Sequence, residues 1–167
     1  MKIFVTGGSG FIGSNFILKQ INETNNIVLN FDKLTYAGNL DNLRDVENNS
    51  NYQFVKGDIT DYKKLWETIK TFMPDAIVNF AAESHVDRSI DGPMEFINTN
   101  VTGTAVLLEI SRNYISENLS KKDFFRFLHV STDEVYGSLG KEGFFTEKTS
   151  YDPSSPYSAS KASSDHL

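Results

Sequence analysis

The 167-residue chain contains no cysteine, which excludes disulfide bridges and thiolate zinc sites. It has no run of basic residues, and its formal net charge is -6 at pH 7. That balance argues against nucleic-acid binding through phosphate contacts. No basic amphipathic stretch points to a membrane surface, and no apolar run is long enough to span a bilayer. The three histidines, His85, His129 and His166, lack metal-ligand spacing, so no metal is expected. The first residues enter a short apolar strand without the longer apolar core and cleavage site of a signal peptide. With the missing cysteines, this leads us to expect a cytoplasmic protein with no nucleic-acid or membrane partner.

What is present is an ordinary globular composition, 23% charged and 39% hydrophobic. The length suits one domain with a sizeable core. Short apolar runs alternate with longer helical patterns, and no internal repeat is visible. Strands are expected at Ile3 to Val5, Ile27 to Phe31, Tyr52 to Val55, Ala76 to Phe80 and Phe124 to Val130. Helices are expected from about Gly10 to Asn22 and through Tyr62, Leu65, Ile69 and Phe72, the latter capped by Thr60 or Asp61. A long helix is expected from Pro93 to about Glu117, and another carries Tyr157. The stretch Tyr36 to Asn51 reads as a polar loop that can hold a short helix, and residues 138–156 as a long functional loop. Continuous apolar strands suit a parallel sheet covered on both faces. The fold class is α/β, a doubly wound Rossmann-type parallel sheet. No helix-stop residue precedes Leu167, so the chain reads as ending inside a helix and as an incomplete polypeptide.

Thr6-Gly7-Gly8-Ser9-Gly10-Phe11-Ile12-Gly13 joins the first strand to the first helix. Gly7, Gly10 and Gly13 let the backbone turn sharply and approach a pyrophosphate, which the helix N-terminus then faces with free N–H groups. Asp32 ends the second strand, where a carboxylate accepts ribose hydroxyls and repels a 2′-phosphate; this favours NAD over NADP. Asp58, after the third strand, can accept from an adenine amino group or start a helix. Further on, Asp133 and Glu134 are adjacent carboxylates, followed by Tyr157 and Lys161 at i, i+4 on one helix face. A lysine ammonium and a nicotinamide cation near a phenol favour phenolate. Two neighbouring carboxyls resist double ionisation, so one can hold a proton while the other accepts one. Both can face one substrate only if the chain leaves its strand near Thr132.

On these residues the chain resembles the extended short-chain dehydrogenase/reductases that act on nucleotide sugars, most closely their 4,6-dehydratase branch. The resemblance rests on the glycine loop, Phe31 to Gly38, Gly57-Asp58-Ile59, Ala81 to Ser89, Ser131 to Gly137 and Ser155 to Lys161. It implies one NAD-binding Rossmann domain over residues 1–167, cut before a sugar-nucleotide domain. It implies that Phe11 and Ile12 meet the cofactor phosphates, and that Asp32, Lys33, Leu34 and Thr35 hold the adenosine ribose. Asp58 and Ile59 would border adenine. Phe80, Ala81, Ala82, Glu83, Ser84 and Thr99 would line the nicotinamide half, with Tyr157 and Lys161. Ser84 and Thr132 would touch the sugar, which the branch implies is dTDP-glucose.

In the implied reaction Tyr157 takes the C4 hydroxyl proton while hydride leaves C4, with Thr132 bonded to the same hydroxyl. Glu134 then removes the C5 proton, Asp133 protonates the departing C6 hydroxyl, and hydride returns to C6. A homodimer through the helices at 93–117 and from 157 onward is also implied. Three alternatives stand: a UDP-glucose dehydratase, an epimerase or decarboxylase of a nucleotide sugar, and an inactive NAD-binding fragment. The 167-residue chain alone is expected to lack turnover. Asp32 predicts tighter binding of NAD than of NADP; calorimetric titration with both checks this, and equal or tighter NADP binding would refute it.

Overall fold

The computed structural model describes residues 1–167. In chain order it contains strand β1 (Lys2–Thr6), helix α1 (Phe11–Glu23), β2 (Ile27–Asp32), a 3-10 helix at Leu40–Val46, β3 (Tyr52–Lys56), α2 (Tyr62–Phe72) and β4 (Ala76–Asn79). Then follow α3 (Val86–Asp91), α4 (Pro93–Phe96), a π-helical stretch at Ile97–Gly103, and α5 (Thr104–Glu117). After a 3-10 turn at Leu119–Lys121 come β5 (Arg126–His129), a 3-10 turn at Asp133–Tyr136 and α6 (Pro156–Asp165). The chain divides into two compact units, Met1–Ala81 with Val106–Val130 and Ala82–Ala105 with Ser131–Leu167. No helix is long and apolar enough to cross a membrane.

The first unit holds a five-stranded sheet in the order β3-β2-β1-β4-β5, with every pairing parallel. Alternate residues of each strand point to opposite faces, which divides the core into two layers. Phe4, Leu29, Phe31 and Ile77 pack with Leu65, Ile69 and Phe72 of α2 and Leu107, Ile110 and Tyr114 of α5. Ile3, Val5, Val28 and Val78 pack with Ile17 and Ile21 of α1 and with Leu43, Val46 and Tyr52. The expected doubly wound parallel sheet is therefore present. β5 departs from the expected strand covered on both faces: it is shorter than Phe124 to Val130, and Leu128 is 54% exposed. It is the edge strand of this sheet, paired only with β4.

A further correction falls on the segment expected to be one long helix. The Pro93 to Glu117 segment is helical throughout but not uniformly α-helical, because seven residues, Ile97–Gly103, adopt π geometry. One extra residue per turn re-aims side chains, and such stretches recur at functional sites. The Ala81 to Ser89 block contains the start of a helix, α3, whose apolar pattern is too short to read from periodicity.

Asp61 resolves the choice of cap for α2, accepting from the Lys64 N–H at 3.1 Å. At the other end of α2, Met73 is the C-cap in the left-handed region, at φ 57° and ψ 60°. A residue with a Cβ strains there by about 1–2 kcal/mol. Met73 is 46% exposed, so little packing offsets that strain. Met73→Gly is therefore expected to stabilise the chain by about 1 kcal/mol, measured as a raised denaturant midpoint. An unchanged or lowered midpoint would contradict it.

Candidate active site and dinucleotide loop

In the first unit, β1 hands the chain to the glycine loop beside the end of β4. The strand order reverses there, with β2 on one side of β1 and β4 on the other, the usual position for a nucleotide crevice. The two strand ends are tied by Thr6 Oγ1 donating to Asn79 Oδ1 at 2.5 Å. Gly7 has φ +69°, and a Cβ there would lie 2.5 Å from the Ala81 nitrogen. At Gly13 a Cβ would overlap the Gly7 carbonyl oxygen and come within 2.8 Å of Gly8 Cα. Packing alone thus demands both glycines. Gly10 is different: its nearest neighbour would be 3.5 Å away, an ordinary contact. Its bareness serves no packing need and leaves the backbone open to a close ligand.

The next residues are open as well. Phe11 is 82% and Ile12 61% exposed, and no side chain caps α1. Phosphate oxygens suit such a helix end. Asp32 is buried, with Oδ2 accepting from the Ser9 N–H at 2.9 Å and Oδ1 from the Leu34 N–H at 2.7 Å. A carboxylate has about four acceptor positions, so it retains capacity for ribose hydroxyls. Leu34 sits in the left-handed region at φ 58°, and Thr35 is half-buried beside it. Asp58 is half-buried and Ile59 buried after β3; Lys33 forms an ion pair with Asp58 at 2.9 Å. Phe80 and Ala81, half-buried, complete this unit's share of the expected contacts. These residues fit a dinucleotide with an unphosphorylated ribose.

The second unit gathers the expected catalytic residues. Ser155 and Ser158 form a reciprocal capping box at the start of α6, with Pro156 in its first turn. This compensates a serine-rich helix of modest propensity and puts Tyr157 and Lys161 on its buried side, at 8% and 3% exposure. β5 has ended by His129, and Thr132 caps the turn that presents Asp133 and Glu134, accepting from the Glu134 N–H at 3.3 Å. The departure from the strand that the carboxylate pair requires is therefore present, and both acids are exposed.

Burial pushes the Tyr157 phenol above its ordinary value; the Thr132 hydrogen bond pulls it down, and Glu134, Asp133 and Asp165 push it up. That direction is opposite to the one expected of a phenol tuned by a lysine, because burial and three carboxylates prevail. Burial lowers Lys161 to about 8, against an opposing pull from Asp165.

Two positions escaped the sequence reading. Asn100, buried within the π-helical stretch, accepts from the Glu83 N–H at 2.8 Å and donates to the Glu83 carbonyl at 2.9 Å and Ser160 Oγ at 2.8 Å. It locks the backbone at Glu83, between Ala82 and Ser84, to the helix of Tyr157 and Lys161. Its only signal in the sequence is an asparagine inside an apolar helical pattern, next to half-buried Thr99. Asp165 accepts from Ser131 Oγ at 2.5 Å and the Tyr151 hydroxyl at 3.1 Å. It joins the residue before Thr132, the long loop and α6, at i+4 from Lys161.

A family model described as GDP-mannose 4,6 dehydratase matches residues 4–167. A dTDP-glucose 4,6-dehydratase from Xanthomonas campestris pv. campestris is 58% identical over 164 residues, 98% of this chain and 46% of that protein. A dTDP-glucose 4,6-dehydratase from Streptomyces venezuelae, solved with NAD bound, aligns with a TM-score of 0.89 at 45% identity, over 99% of this chain and 50% of that one. A UDP-glucose 4-epimerase from Thermotoga maritima aligns with a TM-score of 0.84 at 31% identity, over 99% and 49%. The chain spans about half the length of the curated relatives it matches.

Lys161 generates a stability prediction. Its folded value of about 8 lies below the ordinary 10.5. Between those values the unfolded chain binds more protons, so stability rises with pH through that window. Below it, the cost of burying the charge is present in full. Lys161→Met is expected to be more stable than the parent near pH 7, by up to about 3 kcal/mol. The gap should narrow as pH passes from about 8 to 10. Denaturant titrations across this range check the prediction; a less stable variant near pH 7, or a gap independent of pH, would refute it.

Proposed function

The chain belongs to the GDP-mannose 4,6 dehydratase family, and from that membership we propose that residues 1–167 are the NAD-binding Rossmann domain of a dTDP-glucose 4,6-dehydratase. The observation that carries this reading is the Asp133–Glu134 pair, presented on a turn capped by Thr132, whose hydroxyl bonds Tyr157. The relatives at 58% and 45% identity, both dTDP-glucose 4,6-dehydratases, support it. The open face at Gly10 and the Asp32 carboxylate support NAD as the cofactor.

NAD, when bound, supplies the hydride acceptor for C4 of the sugar and the hydride donor for C6. The glycine loop with Phe11 and Ile12 holds the phosphates, and Asp32 to Thr35, Asp58 and Ile59 hold the adenosine. Phe80 to Ser84 and Thr99 shape the nicotinamide half. Tyr157 takes the C4 hydroxyl proton. Its raised phenol needs a countercharge, which Lys161 provides when protonated. Thr132 bonds the same hydroxyl and, with Ser84, orients the sugar. Glu134 then removes the C5 proton, acidified by the new ketone, and Asp133 protonates the C6 hydroxyl so that it leaves as water.

A homodimer and a cytoplasmic location belong to the same proposal. Exposed Ile90, Met94 and Ile97 supply an apolar surface for the first, and the reaction draws on intracellular NAD and nucleotide sugar. A UDP-glucose substrate is the second reading, since no residue assigned here touches the base. The likeness to a UDP-glucose 4-epimerase favours epimerisation less, because that reaction needs no acid–base carboxylate pair.

The test uses a polypeptide of the relatives' length with Asp133→Asn or Glu134→Gln, observed in a single turnover. C4 oxidation, read as NADH and ketosugar, should persist while water elimination slows about 10²- to 10⁴-fold. Normal release of 4-keto-6-deoxysugar from both variants would refute the assignment.

A further inference from the structure

Lys33 follows the carboxylate that ends β2, next to the position where a dinucleotide's 2′-substituent is read. A lysine ammonium there is a ready partner for a 2′-phosphate, and would oppose the discrimination expected of Asp32. The structure directs this ammonium elsewhere. Lys33 Nζ lies 2.9 Å from Asp58 Oδ2. Asp58 is itself held in place, with Oδ1 accepting from both the N–H and the hydroxyl of Thr60 at 2.9 Å. Burial pushes its carboxyl up, but the Lys33 and Thr60 bonds outweigh burial and keep it below the usual range.

The backbone on either side of Lys33 is equally constrained. Asp32 Oδ1 takes the Leu34 N–H, and Leu34 is held in the left-handed region at φ 58°. Gly38 closes the turn from beneath: a Cβ there would lie 3.0 Å from Asp32 Oδ1 and 3.2 Å from Leu34 Cα. At 52% and 27% side-chain exposure the Lys33–Asp58 pair contributes little to stability. Its consequence is where it points a charge.

We propose that Asp58 is a positioning residue for cofactor selectivity: by holding the Lys33 ammonium, it denies a 2′-phosphate its nearest cation and leaves Asp32 to repel that phosphate unopposed. The inference rests on the NAD-binding reading above and adds a second determinant to it. Asp58 discriminates through Lys33 rather than by touching the 2′-position.

Calorimetric titration of NAD and NADP into the 167-residue chain and its variants tests this. Any contact of Asp58 with adenine is common to both cofactors and cancels in the ratio of their affinities. Asp58→Asn should raise the NADP-to-NAD affinity ratio about five- to tenfold. Adding Lys33→Met should return the ratio to that of the parent. Asp58→Ser, which can still accept from the Thr60 N–H, should raise it as well and serves if the asparagine variant fails to fold. A ratio that does not move, or a rise that survives Lys33→Met, overturns the proposal. A parent chain that binds neither cofactor overturns the NAD reading and this inference with it. A parent that binds NAD, with the ratio unmoved in the variants, overturns this inference alone.

Discussion

The buried Asp32 carboxylate is the constraint around which the dinucleotide half is built. One oxygen takes the Ser9 N–H of the glycine loop, and the other takes the Leu34 N–H of its own turn. A charge buried to 8% exposure is tolerable only when its oxygens are bonded, and both bonds go to backbone that must adopt unusual shapes. The loop after β1 reaches φ +69° at Gly7, and the turn after β2 reaches φ 58° at Leu34. Asn30 reinforces the arrangement one layer below, donating to Ser9 Oγ and the Tyr52 hydroxyl at 3.1 Å each. Glycine reaches such a φ without strain, but Leu34 does not, and its strain persists because the surroundings over-determine it.

The second unit solves a different problem, placing a buried lysine and a buried phenol on a short helix. Its ten residues include four serines, poor helix formers that bond their own backbone. The capping box starts the helix, and Ser160 and Ser164 satisfy themselves on the carbonyls of Tyr157 and Lys161. Asn100 reaches the same helix through Ser160 while gripping both backbone groups of Glu83. It does so from π-helical backbone, whose wider turn changes where a side chain emerges. Tyr157 and Lys161 are thus fixed by hydrogen bonds to their neighbours. Burial pushes their ionisation in opposite directions, both toward neutrality.

The sequence by itself determined the fold class and singled out the residues on which the proposed chemistry rests. Apolar runs of strand length, amphipathic helices and a glycine loop between a strand and a helix are local signals. A parallel sheet with helices on both faces is the arrangement that buries all of them. Asp32, Asp133, Glu134, Tyr157 and Lys161 were legible because their types and spacing are rare in combination.

Tertiary structure alone decided what each of these residues feels. The Tyr157 phenol is raised because burial and carboxylates from separate stretches of chain converge on it. The π-helical stretch, the grip of Asn100 on Glu83, the role of Asp165 and the pairing of Lys33 with Asp58 follow the same rule. Spacing along a chain is a one-dimensional property that fixes periodicity and local caps. Desolvation and Coulomb interactions depend on distances of a few ångströms between residues up to 73 positions apart, and only the folded backbone sets those distances.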